Sequence, residues 1–257
     1  MRVFLSAVSH RTCGNGNSKN MSDYFLEEGI KYNWNLLSFY YIKNDKDYES
    51  AINVRNNSKL VLIDSGAHSF QKGKKVDWVE FTKKYAEFIK QFDKPNVIGY
   101  FEMDVDNIIG YDKVLELRKI LENVSNKIIP VWHKNRGLDE YKKMCRDYAG
   151  KVIAITGFKN EDIKDEQYLM FLKYAKKYNC KVHCLGMTRK KVLDKVPFDY
   201  VDSSSWAQQS IYGTIGRKKV SKKQSQTDMK KIFLENYKLG MKMQEHYYQK
   251  WKKVCKD

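Results

Sequence analysis

The sequence predicts an α/β chain folded as a (β/α)8 barrel with a basic C-terminal helix. Three observations carry this reading. Eight short apolar runs alternate with longer amphipathic stretches, the pattern of parallel strands joined by crossover helices. The chain has 257 residues, close to the roughly 250 typical of such barrels. No G-x-G-x-x-G follows the first apolar run, which weakens the main competitor, an open doubly wound sheet holding a dinucleotide.

Taken in order, Val3–Val8 reads as the first strand. Leu36–Tyr41, Leu60–Asp64, Val97–Met103, Ile128–Trp132, Val152–Ile155, Lys181–Leu185 and Tyr200–Asp202 follow as the other seven. Between them, Asp77–Gln91 places Trp78, Phe81, Tyr85, Phe88 and Ile89 at helical spacing behind an N-cap at Asp77. Tyr111–Val124, Leu138–Tyr148, Ile163–Tyr178 (behind Asp162) and Thr188–Val196 behave alike. After the last strand, Ser221–Asp257 reads as a long basic helix with an apolar stripe at Ile232, Phe233, Tyr237, Met241, Tyr247, Trp251 and Val254. The expectation is a stripe packed on the barrel, giving a catalytic barrel over residues 1–215 and a helical extension over 216–257.

Composition narrows the class. Hydrophobic residues at 42% and aromatics at 14% are those of a chain that buries a core. No run approaches the roughly 18 apolar residues of a membrane span, and the N-terminal apolar run is too short for a signal sequence. The five cysteines are odd in number and scattered, which fits a reducing compartment; a cytoplasmic protein with no membrane partner is expected. The formal net charge is +17, and a field of that sign attracts polyanions, nucleic acid first among them. Thirteen Lys and Arg face four Asp and Glu between Arg217 and Asp257. Lys218, Lys219, Lys222 and Lys223 are the candidate phosphate contacts in that segment.

The chemistry is expected at the carboxyl ends of the strands, where barrels of this kind place their active sites. Those ends carry Asp64-Ser65-Gly66, then Asp104 and Asp106, His133, Thr156-Gly157, Gly186-Met187 and Asp202-Ser203-Ser204. An Asp at a strand end is an ordinary turn residue. Three strands delivering carboxylates to one rim must shift pKa values and lose stability unless the charges are used. Paired carboxylates suit glycosidic chemistry, and they also suit a divalent metal. A zinc site at Cys180, His183 and Cys184 is disfavoured, because strand alternation separates the cysteines from the histidine; core packing is the expected role of these thiols.

In this order the strand ends resemble the tRNA-guanine transglycosylases, together with their shorter phage and bacterial relatives that insert 7-deazaguanine bases into DNA. "LIDSGAHSFQ" looks like the family's Asp-Ser-Gly-Gly-aromatic segment, and "YFEMDVD" like its strand ending in a base-recognising Asp. "AITGF" and "CLGM" look like its glycine-ended strands, and "FDYVDSSSW" like the strand bearing its aspartate nucleophile. The resemblance covers roughly residues 60–206. It implies a barrel that replaces guanine by a 7-deazaguanine derivative through a covalent aspartyl-ribosyl intermediate, with no cofactor and no metal.

Carried over by residue, the resemblance makes Asp202 the nucleophile, with Asp199 as the fallback, and Asp64 the general acid and base. Asp104 would hold the guanine-like edge, and Gly157 and Gly186 would present backbone to the base. Ser65, Gly66 and His68 would line the pocket, Met187 would pack on the other face of the base, and His133 falls near the family's base-binding glutamine. The family's C-terminal Cys-x-Cys-x-x-Cys…His zinc site is absent, with Cys255 the sole cysteine there. DNA is therefore preferred over tRNA as the polymer partner, alongside a free 7-deazaguanine-type base. Two other readings stand beside this one. One is a metal-dependent hydrolase using Asp64, Asp104, Asp106 and His133; the other is a non-catalytic barrel that binds nucleic acid.

Overall fold

The computed structural model describes residues 1–9, 20–70, 76–157, 163–216, 218–220 and 229–255. Nine short strands form one parallel sheet: β1 (Arg2–Ser6), β2 (Tyr32–Ser38), β3 (Ser58–Asp64), β4 (Val97–Phe101), β5 (Ile128–Ile129), β6 (Val131–Trp132), β7 (Val152–Thr156), β8 (Lys181–Leu185) and β9 (Tyr200–Ser203). Their spatial order is β5-β4-β3-β2-β1-β9-β8-β7-β6. The two end strands, β5 and β6, are separated in the chain by Pro130 alone, so the sheet comes back on itself as a nearly closed barrel. The eight strands expected from the sequence are this sheet with its fifth strand divided at a residue that has no N–H to give. The Pro130 carbonyl still accepts from Ala154 N–H at 2.9 Å.

Alternation along the strands separates an inner layer from an outer one. Phe4, Trp34, Leu62, Phe101, Val131 and Tyr200 meet inside the ring, while Val3, Leu5, Val182 and Val201 face the helices. The helices are α1 (Met21–Glu27), α2 (Asp45–Asn57), α3 (Trp78–Phe92), α4 (Asp106–Ile109), α5 (Tyr111–Glu122), α6 (Gly137–Asp147), α7 (Tyr168–Lys176), α8 (Lys190–Leu193), α9 (Ser205–Ile211) and α10 (Met229–Trp251). A two-stranded hairpin of β10 (Thr214–Ile215) and β11 (Lys218–Lys219) precedes α10. Asp77 caps α3 by accepting Glu80 N–H at 3.0 Å, and the helix buries Tyr85, Phe88, Ile89 and Phe92.

Several boundaries differ from the sequence reading. β2 starts at Tyr32, and Phe39–Tyr41 is a tight helical turn. Polar Asn33 and Asn35 disguise the start of that strand; Asn35 is buried and donates to Ser58 Oγ at 3.0 Å. The helix placed at Ile163 starts at Tyr168, and the expected cap Asp162 lies outside the described residues. The stretch Thr188–Val196 contracts to the single turn α8. α1 and α2 were not anticipated, since α2 reads DKDYESAINVRNN with few apolar positions.

α10 packs along the outside of β1. Gly240 lets it approach, for a Cβ there would meet Leu5 Cδ1 at 2.9 Å. Gln244 is fully buried and its Nε2 donates to Val3 O (2.8 Å) and Trp34 O (2.7 Å). Further on, Trp251 Nε1 donates to Leu193 O and the Cys255 thiol donates to Phe198 O, so the helix ends at the base of the barrel, where β9 begins. Ile232, Phe233, Tyr237 and Tyr247 of the apolar stripe are buried, whereas Val254 stays exposed. Among the described residues no helix is long and apolar enough to cross a membrane, and Cys145, Cys180, Cys184 and Cys255 are buried thiols.

Gln244→Ala strands two buried carbonyls and is expected to cost about 1–3 kcal/mol, read as a lowered urea midpoint. Exposed Lys242→Ala on the same helix should stay within about 0.5 kcal/mol.

Candidate active site

A ring of parallel strands turns all its carboxyl ends to one mouth. Asp64 closes β3, two residues beyond inward Leu62, and so shares its face. Asp202 lies in β9 opposite Phe4, two residues beyond inward Tyr200. Asp104 follows the end of β4. Asp202 and Asp104 keep 16% and 24% of their side chains exposed, so both are reachable from the mouth.

Burial is the main force on Asp64 and pushes its carboxyl up to about 7. The Gly66 and Ser65 N–H groups pull it back by hydrogen bonding, and the charges of Asp104 and Asp202 push it further up. Each of those two carboxylates therefore lies within electrostatic reach of Asp64. A carboxyl so displaced holds a proton near neutrality, the state a general acid needs.

Asp202 is held differently. Its Oδ1 accepts from Gly186 N–H at 2.8 Å and faces His183 Nε2 at 2.9 Å. Gly186 has φ +62°, a left-handed conformation that glycine adopts without strain and that aims its N–H at the carboxylate. Asp199, the alternative nucleophile, is at the other end of the same segment. Its Oδ2 accepts from Val182 N–H at 2.8 Å and its carbonyl from Arg2 N–H at 2.8 Å, both at strand beginnings. It belongs to the base of the barrel, and burial raises its pKa there against the Val182 hydrogen bond.

Asp104 Oδ1 meets His133 Nε2 at 2.5 Å. Burial by itself would lower the pKa of His133, but the hydrogen bond to Asp104 and the charges of Asp104 and Asp106 outweigh it and raise it. Behind this pair lies an ionic group the sequence reading missed. Glu102 is fully buried; its Oε2 accepts from Arg118 Nε at 2.5 Å and its Oε1 from Val131 N–H at 2.6 Å. Arg136 reaches Asp106 Oδ2 at 3.0 Å and also donates to the Val131 carbonyl. The available signal was a glutamate inside the apolar run "YFEM", with arginines 16 and 34 residues on.

The other expected site residues divide. Ser65 is fully buried and donates to Glu102 O at 3.0 Å, so it braces the rim and presents no surface to a ligand. Met187 is likewise fully buried, within the core between barrel and helices, and cannot pack on a base as expected. Gly66 has φ +73°, and a Cβ there would lie 2.3 Å from Tyr40 Cβ; a Cβ on Gly157 would lie 2.4 Å from Cys184 Sγ. The room left by these two glycines is taken by neighbouring chain, where a planar ligand was expected. Gly186 serves Asp202. His68 sits in the turn Ala67–Phe70 after β3, and its side chain lies outside the described residues, as do Lys222 and Lys223. Lys218 and Lys219 are exposed on β11.

Donor atoms of Asp104, Asp106 and His133 all lie within 4.8 Å of one another, close enough to hold a metal ion. Asp64 is not in that group, and a cation there would compete with Arg136 for Asp106 and with Asp104 for His133. The cysteine and histidine of β8 split as alternation requires: Cys184 faces the helices and His183 the interior. No family model, no curated protein and no solved structure matches this chain.

Two substitutions test this geometry. A carboxyl whose folded pKa exceeds its unfolded value binds its proton more tightly when folded, so its contribution falls as pH rises between the two values. Asp64→Asn is therefore expected to stabilise the protein by roughly 2–4 kcal/mol at pH 8 and by nothing below about pH 4, measured by urea unfolding across that range. Glu102→Gln leaves the buried Arg118 guanidinium without its anion and Arg136 with Asp106 alone, and should cost about 3–5 kcal/mol.

Proposed function

We propose that this chain is a base-exchanging transglycosylase acting on nucleic acid, replacing guanine with a 7-deazaguanine-type base. The observation that supports it best is the pairing at one mouth of a proton-holding carboxyl, Asp64, with a second carboxylate, Asp202, whose hydrogen bonds among the described residues fall on Oδ1. Glycosidic exchange needs such an unequal pair: one carboxyl to protonate the departing group and one to attack.

The steps follow. Asp202 forms a bond to the ribosyl C1′ as the bond from C1′ to the base nitrogen breaks, through an oxocarbenium-like transition state. The electron pair leaves with the base, and Asp64 supplies the proton that neutralises it. The incoming base then loses a proton to Asp64 and attacks C1′, and Asp202 departs as a carboxylate. Asp104, braced by His133, offers acceptor oxygens suited to the N–H edge of a guanine-like ring. The target nucleotide must leave its stack to reach the mouth. Because α10 ends at the base of the barrel, the hairpin carrying Lys218 and Lys219 and the start of α10 lie toward the mouth, where phosphates would pass. DNA is the polymer proposed; tRNA is the alternative.

The Asp104, Asp106 and His133 group supports a second reading, a metal-dependent hydrolase. Full exchange activity in excess chelator separates the two.

The test is incorporation of a labelled 7-deazaguanine base into duplex DNA and into tRNA. Label in DNA is expected, and label in tRNA alone would reverse the choice of polymer. Asp202→Asn and Asp64→Asn should each lose about 10²- to 10⁴-fold in rate while still binding nucleic acid. The first half-reaction should slow above about pH 7 as Asp64 loses the proton it must give. A rate that keeps rising past pH 8 contradicts the assignment of Asp64.

A further inference from the structure

We propose that His183 is the positioning residue of the nucleophile: it pins Oδ1 of Asp202 so that Oδ2 is the attacking oxygen. This rests on the base-exchange reading above. His183 is in the middle of β8 with its neighbours Val182 and Cys184 turned to the helices, and none of its surface reaches solvent. Its ring lies edge-on to Phe101, with centroids 4.9 Å apart at 77°, and 6.4 Å from Phe4. An imidazole in an aromatic cage is a costly way to fill space unless its nitrogens are engaged.

One nitrogen is engaged. Nε2 stands 2.9 Å from Asp202 Oδ1, while Nδ1 is buried and has no hydrogen-bond partner among the described residues. The tautomer with hydrogen on Nε2 satisfies this arrangement: it donates to the carboxylate and leaves only a lone pair facing the cage. The opposite tautomer would bury an unmade N–H donor and set two acceptors against each other. Gly186 N–H falls on the same oxygen. Two donors from different directions fix the rotation of the carboxylate about its last bond, and the oxygen they leave uncommitted is preset for C1′.

The test has a readout that needs no substrate. Nitrogen-15 NMR of the histidine-labelled protein should show His183 as the Nε2–H tautomer, and Asp202→Ala should shift that resonance. His183→Phe keeps the packing and removes the donor; it should slow covalent adduct formation about 10²-fold with nucleic-acid KM within about twofold and an undiminished urea midpoint. His183→Gln, which can donate an N–H, should recover to within about tenfold of the parent rate. An Nδ1–H tautomer, or a His183→Phe variant at parental rate, overturns the proposal. Equal losses in both variants with lowered midpoints would make His183 a packing residue and overturn it too. If the parent protein shows the expected tautomer but forms no adduct with any nucleic acid, the base-exchange reading fails and the positioning role falls with it.

Discussion

Closing a ring of parallel strands across a proline is the constraint on which the rest of this molecule depends. Pro130 has no N–H, and the strand ladder is interrupted there, between β5 and β6. Glu102 bridges the gap by accepting the Val131 N–H, and Arg118 and Arg136 balance its buried charge. Arg136 then holds Asp106, and His133, three residues before Arg136, meets Asp104. The group that closes the barrel thus also places part of its mouth. A buried ion pair contributes little net stability when compared with apolar packing. Its value here is geometric, since it fixes charged side chains where a flexible rim would let them turn to water.

The two ends of the barrel divide the work. At the base, Asp199 accepts main-chain N–H groups and α10 is anchored by Gln244 and Trp251. At the mouth, carboxylates are crowded against one another and Asp64 is driven far from its ordinary range. Those are different settings for a buried aspartate. Burial raises the pKa of both; at the base a main-chain N–H and nearby lysines oppose the rise, whereas at the mouth two further carboxylates add to it and Asp64 holds a proton near neutral pH.

Much of this was legible in the sequence because strand ends are local. "LVLID", "YFEMD" and "FDYVD" each show an apolar run stopping at a carboxylate, and period-two alternation assigns the inward face. Lys181–Leu185 was placed to the residue. What escaped was long-range or polar. β2 hid behind Asn33 and Asn35; the partners of Asn35, Ser58 and Tyr237, lie on other elements. Glu102 looked like part of a motif, because its arginines are distant in sequence and adjacent in space. The glycines misled for a related reason: a missing side chain announces a close approach but not by what, and Tyr40 and Cys184 fill the room at Gly66 and Gly157. His183 was weighed only as a metal ligand, and its carboxylate partner lies 19 residues away on the next strand.

The most direct measurement of the central claim is peptide mapping by mass spectrometry of the protein trapped with nucleic acid and digested with nuclease and trypsin. Residues 196–217 form one tryptic fragment carrying both Asp199 and Asp202, and fragmentation distinguishes them. The account predicts the mass of a base-free sugar phosphate, deoxyribosyl from DNA or ribosyl from tRNA, on Asp202. The same mass on Asp199 or Asp64, or none on any carboxylate while base exchange proceeds, would contradict it.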